Sequence, residues 1–91
     1  MYKKIFTKRF EKSLKKVMHS GKIKRVEIET AVEILASGKT LPLKYKDHSL
    51  HGSMHNLREC HIKGDLLLVY QIRKRELVLI LIDIGNHSEL F

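Results

Sequence analysis

Six consecutive apolar residues, Leu77-Val78-Leu79-Ile80-Leu81-Ile82, set the strongest limit on how this chain can fold. An unbroken apolar run of strand length is buried on both faces, which makes it a central strand rather than an edge. Neighbouring strands and a covering layer must come from the rest of the chain. Just before the run, Leu57–Ile62 and Leu66–Ile72 read as two strands joined at Lys63-Gly64, where a Gly can take φ > 0. Asp65 opens the second strand across that turn. Alternation points Glu59 and His61 one way and Arg58, Cys60 and Ile62 the other.

The covering layer comes from upstream. Tyr2 to Phe6 has the composition of a short strand. Thr7 is a plausible N-cap for a helix to about His19, with Gly21 at its C′ position. Phe10, Leu14, Val17 and Met18 follow 3–4 spacing, while Lys8, Arg9, Lys12, Lys15 and Lys16 cover the rest. A second helix runs from about Lys22 to Ala36, with Ile28, Ala31, Val32 and Leu35 as its stripe. Lys39 to Met54, broken by Pro42, reads as a long loop. Arg73-Lys74-Arg75 reads as a charged turn, and Asp83 to Gly85 as the exit from the sheet. The expected fold is α+β in the order β-α-α-β-β-β. Two N-terminal helices pack on an antiparallel sheet of about four strands, in one domain spanning 1–91.

With 91 residues and 43% hydrophobic content, the chain can build one modest core. It has no run of about 18 apolar residues, so no membrane span is expected. The basic N-terminus lacks the apolar stretch of a signal peptide. A single Cys suits a reducing cytoplasm. The charge is unevenly placed: residues 1–46 carry 13 Lys/Arg against 4 Asp/Glu, whereas residues 47–91 carry 5 against 6. Five of the six histidines fall in the second part: His48, His51, His55, His61 and His87. A basic half suggests a polyanionic partner, either nucleic acid or an acidic protein.

Each polar residue of the second half has an ordinary explanation alone. A strand His can be a surface group, and an Asp at a hairpin turn bonds local amides. Together they match one chemistry. RNA cleavage through the 2′-hydroxyl needs a base for that hydroxyl, an acid for the 5′-oxygen leaving group and positive charge for the phosphorane. Histidine titrates near neutrality and can fill both proton-transfer roles. His61, Asp65, His87, Arg58 and the lysines could supply the set without a metal or other cofactor. Zinc fits less well: the histidines lack paired i, i+4 helical spacing, Cys60 has no Cys partner, and alternation turns Cys60 away from His61.

Four segments then carry a resemblance. They are Tyr45-Lys46-Asp47-His48-Ser49-Leu50 with Gly52, Arg58-Glu59-Cys60-His61-Ile62-Lys63, Asp65-Leu66-Leu67-Leu68-Val69-Tyr70, and Gly85-Asn86-His87-Ser88-Glu89-Leu90-Phe91. This half of the chain resembles the YafQ-type toxins of the RelE/ParE superfamily, the toxin halves of bacterial type II toxin–antitoxin pairs. The first half agrees in pattern only. The resemblance implies a ribosome-dependent endoribonuclease that cuts mRNA in the ribosomal A site, leaving a cyclic phosphate and a 5′-hydroxyl. It makes His48, His61, Asp65 and His87 the candidate catalytic residues, with His87 as proton donor to the leaving group. Lys44, Lys46, Arg58, Glu59 and Phe91 are candidate RNA-contacting residues, Arg58 being either a phosphate contact or a structural ion pair. Which of His48 and His61 is the base stays open. The chain departs from the family pattern at Met54, His55, Gly64 and Asn86.

The resemblance also implies a cognate antitoxin that lays an acidic segment over the basic surface, with operator DNA bound only through the complex. Two other functions remain on the same fold. One is a ParE-like gyrase poison, which needs no acid–base residues; the other is a non-catalytic basic nucleic-acid-binding module.

Overall fold

The computed structural model describes residues 1–52 and 56–91. The elements run β1 (Lys3–Phe6), α1 (Lys8–His19), α2 (Arg25–Ala36), a 3-10 turn (Leu43–Tyr45), β2 (His48–Ser49), β3 (Arg58–Lys63), β4 (Leu66–Arg73), β5 (Val78–Gly85) and α3 (His87–Leu90). The α+β order holds. The sheet, however, has five strands in the order β1-β5-β4-β3-β2, and β1 lies parallel to β5 while the other pairs are antiparallel. The parallel pair arises because both helices and three strands intervene before the chain returns beside its own start.

Thr7 caps α1: its Oγ1 accepts from Phe10 N at 3.1 Å. The same hydroxyl donates to Leu81 O at 2.8 Å, so the cap also ties the helix start to β5. Ser20 and Gly21 close α1, with Gly21 at φ 72° as a C′ residue requires. The second helix starts later than Lys22, at Arg25, and leaves Ile23 buried in the connection. α1 packs along β5 and α2 against β3. Phe10, Ile28, Val32 and Leu35 thereby meet Cys60, Leu68, Tyr70, Leu79, Leu81 and Ile84 in one core. Truncating a fully buried aromatic such as Phe10 costs about 3–5 kcal/mol.

The apolar run departs from expectation at both ends. Leu77 is outside the strand, 58% exposed and at φ 57°. No Gly is present between Arg73 and Val78, so a leucine takes the left-handed position of that turn. At the other end, Asp83 stays in β5 and is buried. Its Oδ2 takes the Arg9 Nε at 2.8 Å and its Oδ1 takes Ile84 N at 2.9 Å. These bonds let a carboxylate sit where sequence alone suggests an exit. β5 is interior, between β1 and β4, but only Leu79 and Leu81 of the run are fully buried. Val78, Ile80 and Ile82 are half-buried on the other face.

Candidate functional site

The site is built on the sheet face opposite the two-helix core. On β3, Cys60 is in the core, so Glu59 and His61 point to the other side, as alternation predicts. Across β4 their register partners are Val69 and Leu67, both buried yet outside the core. On β5 the same rows end at Asp83 and Gly85. One row thus reads His48–Glu59–Val69–Asp83, and the next reads His61–Leu67–Gly85.

His48 reaches this face from a segment expected to be loop. Lys46 takes a left-handed conformation at φ 48°, and its carbonyl accepts from His48 Nδ1 at 2.7 Å. His48 then pairs with Glu59, placing Nε2 3.4 Å from the buried Glu59 Oε1. A carbonyl only accepts, so Nδ1 carries its proton toward Lys46, and Nε2 is the nitrogen that faces the Glu59 carboxylate. The His61 ring centroid lies 6.4 Å from that of His48. The structure therefore brings His48, Glu59 and His61 together.

His87 arrives from the other side. β5 ends at Gly85 and α3 follows at once, opened by a reciprocal cap. Asn86 Oδ1 accepts from Glu89 N and Glu89 Oε1 accepts from Asn86 N, both at 2.9 Å. Lys16 of α1 holds Glu89 at 3.2 Å. The Glu89 carboxyl is held below its usual range, first by the Asn86 amide and then by Lys16. His87 is exposed, with its ring 5.2 Å from that of Phe91. Gly85 pairs with Leu67 and Leu67 with His61, so about two strand spacings, roughly 10 Å, separate His61 from the start of α3.

Asp65 is not the first residue of β4. It sits with Gly64 in the exposed turn, where Gly64 takes φ 56°, and β4 begins at Leu66. It lines a groove of about 440 Å³ between the hairpin tip, the end of α1 and the start of α3, with Lys16, Lys22, Lys63 and Asn86. Lys44 and Lys46 are exposed on the segment before His48, Lys44 lying 5.3 Å over the Tyr45 ring. His51 is exposed close by in sequence. Met54 and His55 lie outside the described residues.

Arg58 faces away from the histidines. Its Nε and Nη2 donate to Asp47 Oδ1 and Oδ2 at 3.3 and 3.1 Å, and its Nη1 donates to Ser49 Oγ at 2.8 Å. The Tyr70 hydroxyl donates to Asp47 Oδ1. Asp47 holds the guanidinium above its ordinary range, and burial does the same for the Tyr70 phenol. Asp47 escaped the list of candidates because an Asp beside a His in a loop carries no signal without its cross-strand partner. Among the described residues, no three His, Cys, Asp or Glu side chains gather closely enough to hold a metal ion. None of their helices is long and apolar enough to cross a membrane.

The comparisons with known proteins agree with this fold. Residues 2–91 match the family described as bacterial toxin of type II toxin-antitoxin system, YafQ. The mRNA interferase toxin YafQ of Escherichia coli K12 is 37% identical over 51 residues, 56% of this chain and 53% of that protein. The chain thus spans about half the length of the curated relatives it matches. A metal-bound toxin from Helicobacter pylori superposes with a TM-score of 0.90 at 44% identity, covering all of both chains. The toxin of the E. coli DinJ-YafQ toxin-antitoxin complex superposes at 0.87 and 25% identity, over 99% of this chain and 97% of the other. The chain belongs to the YafQ family of toxins from bacterial type II toxin–antitoxin systems.

Proposed function

We propose that this toxin is a ribosome-dependent endoribonuclease that stops translation by cutting mRNA through the 2′-hydroxyl. The observation that carries the reading is the meeting of His48, Glu59 and His61 on one sheet face; His87 and Phe91 pair at α3, which begins two strands away from His61. His61 takes the proton of the 2′-hydroxyl, whose oxygen attacks the adjacent phosphorus. His48, held between Lys46 O and Glu59, orients the scissile phosphate for that attack. His87 gives its proton to the departing 5′-oxygen, and the product is a cyclic phosphate with a free 5′-hydroxyl. Phe91 offers a half-exposed ring against which a base can stack. Asp65 and Asn86 border a separate groove against the end of α1, away from the histidine pair, and Lys44 and Lys46 are exposed on the segment that leads to His48.

A relative named mRNA interferase and a relative solved in a toxin–antitoxin complex support the same reading. Another relative is metal-bound, whereas no three donor side chains cluster for a metal among the described residues of this chain. The partners are mRNA on the ribosome in the cytoplasm and a cognate antitoxin. The antitoxin's acidic segment covers the basic surface, which includes the exposed Lys8, Lys12, Lys15 and Lys16, and operator DNA is bound only through the complex.

The test is a purified-chain assay on ribosomes translating a defined message. Wild type is expected to cut the message and leave a cyclic phosphate, and His87→Ala to slow cleavage about 10²- to 10⁴-fold. Intact message with both proteins defeats the reading. DNA breaks in cells with uncut mRNA would point to gyrase instead.

A further inference from the structure

Arg58 and Asp47 lie on the core side of the sheet, behind the catalytic face, yet they grip the chain on both sides of His48. β2 is an edge strand of only two residues. So short a ladder holds little by itself, and exposed edge backbone frays readily. The side chains before and after His48 are each bound to one guanidinium: Asp47 by Nε and Nη2, Ser49 by Nη1. Arg58 is itself anchored in β3, and Tyr70, fully buried in β4, holds Asp47 from behind. A side-chain network anchored in β3 and β4 therefore holds the residues that flank His48.

We propose that Asp47, Arg58 and Tyr70 form a positioning clamp that fixes His48 over Glu59 from the far face of the sheet. The inference rests on the ribonuclease reading and assigns Arg58 between the two roles its sequence leaves open. An arginine that grips RNA phosphate presents its fork to solvent, bidentate toward the ligand. Here three guanidinium N–H groups are committed to Asp47 and Ser49. The clamp leaves one freedom, rotation of the imidazole, and the left-handed Lys46 removes it by presenting its carbonyl to Nδ1. Strand placement and ring orientation are thus set by separate groups, as a substrate-orienting histidine requires.

The test compares Asp47→Asn, Arg58→Lys and Tyr70→Phe with wild type in two assays. One is cleavage on translating ribosomes, resolved into kcat and KM. The other is NMR of the histidine ring signals in the free toxin. Melting curves establish that each variant is folded, and Tyr70→Phe, which removes a single hydroxyl, decides the matter if the charge variants do not fold. A clamp predicts kcat reduced about 10- to 100-fold for Arg58→Lys and Asp47→Asn, with KM within about threefold. It also predicts a double variant little worse than either single one, because the two residues act as a unit. The His48 ring signals should shift in every variant while those of His87 stay in place. Arg58→Lys retaining kcat, with a raised KM and a weaker salt dependence, would overturn the proposal in favour of a phosphate contact. Unmoved His48 signals would overturn it equally. Wild type that cuts no message defeats the ribonuclease reading instead, and the ring signals still judge the clamp.

Discussion

His48 and Glu59 stand opposite each other across the β2–β3 pair, with a histidine nitrogen 3.4 Å from a carboxylate that is almost wholly buried. The neighbouring residues Val69 and Leu67 exclude water from the same face. His48 is the polar side chain that faces this carboxylate across the strand pair. Glu59→Gln keeps the shape but removes the carboxylate that faces His48 Nε2. It is expected to leave the fold intact by circular dichroism and to slow message cleavage by about tenfold or more. Cleavage at the wild-type rate would reduce Glu59 to a sheet residue without a part in the reaction.

The four-residue α3 depends on its cap far more than a long helix would. Asn86 and Glu89 exchange two hydrogen bonds, and Lys16 ties Glu89 to α1. Asn86→Ala removes a cap worth about 1 kcal/mol. Because α3 is short and exposed, the global melting temperature should change little. The expected loss is local: His87 becomes mobile, its ring signal sharpens, and cleavage falls. Asn86→Asp, which keeps an acceptor at the cap, should restore the rate. A pH arm follows from Glu89, whose carboxyl is held low in the folded chain. Its contribution is present above the unfolded carboxyl range and is lost as acid protonates it, so α3 should loosen before the rest of the chain as pH falls.

Thr7 joins two parts of the fold that the chain separates widely. It caps α1 and also donates to the Leu81 and Ile82 carbonyls of β5. Thr7→Val keeps the branching and removes the hydroxyl. The expected cost is about 1–2 kcal/mol, and for a domain of this size each kcal/mol lowers Tm by about 4–8 °C. Calorimetry checks it. The helix should survive, because Phe10 remains buried beneath it.

What the sequence made legible was local. The Thr7 cap, the Gly21 stop and the alternation of Glu59 and Cys60 follow from neighbours within a few residues, and all three stand in the structure. The missed features depend on distant partners. A two-residue strand such as His48–Ser49 has no periodicity to detect. The parallel seat of β1 beside β5 appears only when both ends of the chain meet. Asp83 looks like a strand breaker until Arg9 neutralises it. Leu77 in a left-handed turn contradicts its residue type and is imposed by the strands on either side. The histidines could be grouped by chemistry in advance, but the Asp47–Arg58–Tyr70 grip needed three strands in register.

Cys60 reports on the core directly beneath the site. It is fully buried in β3, and its thiol is pushed up to about 12, chiefly by burial, with the negative charges of Asp47 and Glu59 adding. The folded state therefore disfavours the thiolate, which is the reactive form. In the unfolded chain the thiol ionises near its ordinary value of 9.0. The sign follows: the folded chain's advantage is whole below about pH 9 and is lost as pH rises from there toward 12. Two measurements check this. A thiol reagent at pH 8 should leave Cys60 unmodified in the native chain and modify it fully in denaturant, with a native rate set by unfolding. Urea midpoints should hold steady up to about pH 9 and then decline, and in Cys60→Ala the decline should begin later and be smaller, because the Tyr70 phenol, also raised by burial, still contributes at higher pH. Rapid native labelling at pH 8 would mean that β3 opens far more often than a strand so buried should, and with it the face that carries Glu59 and His61.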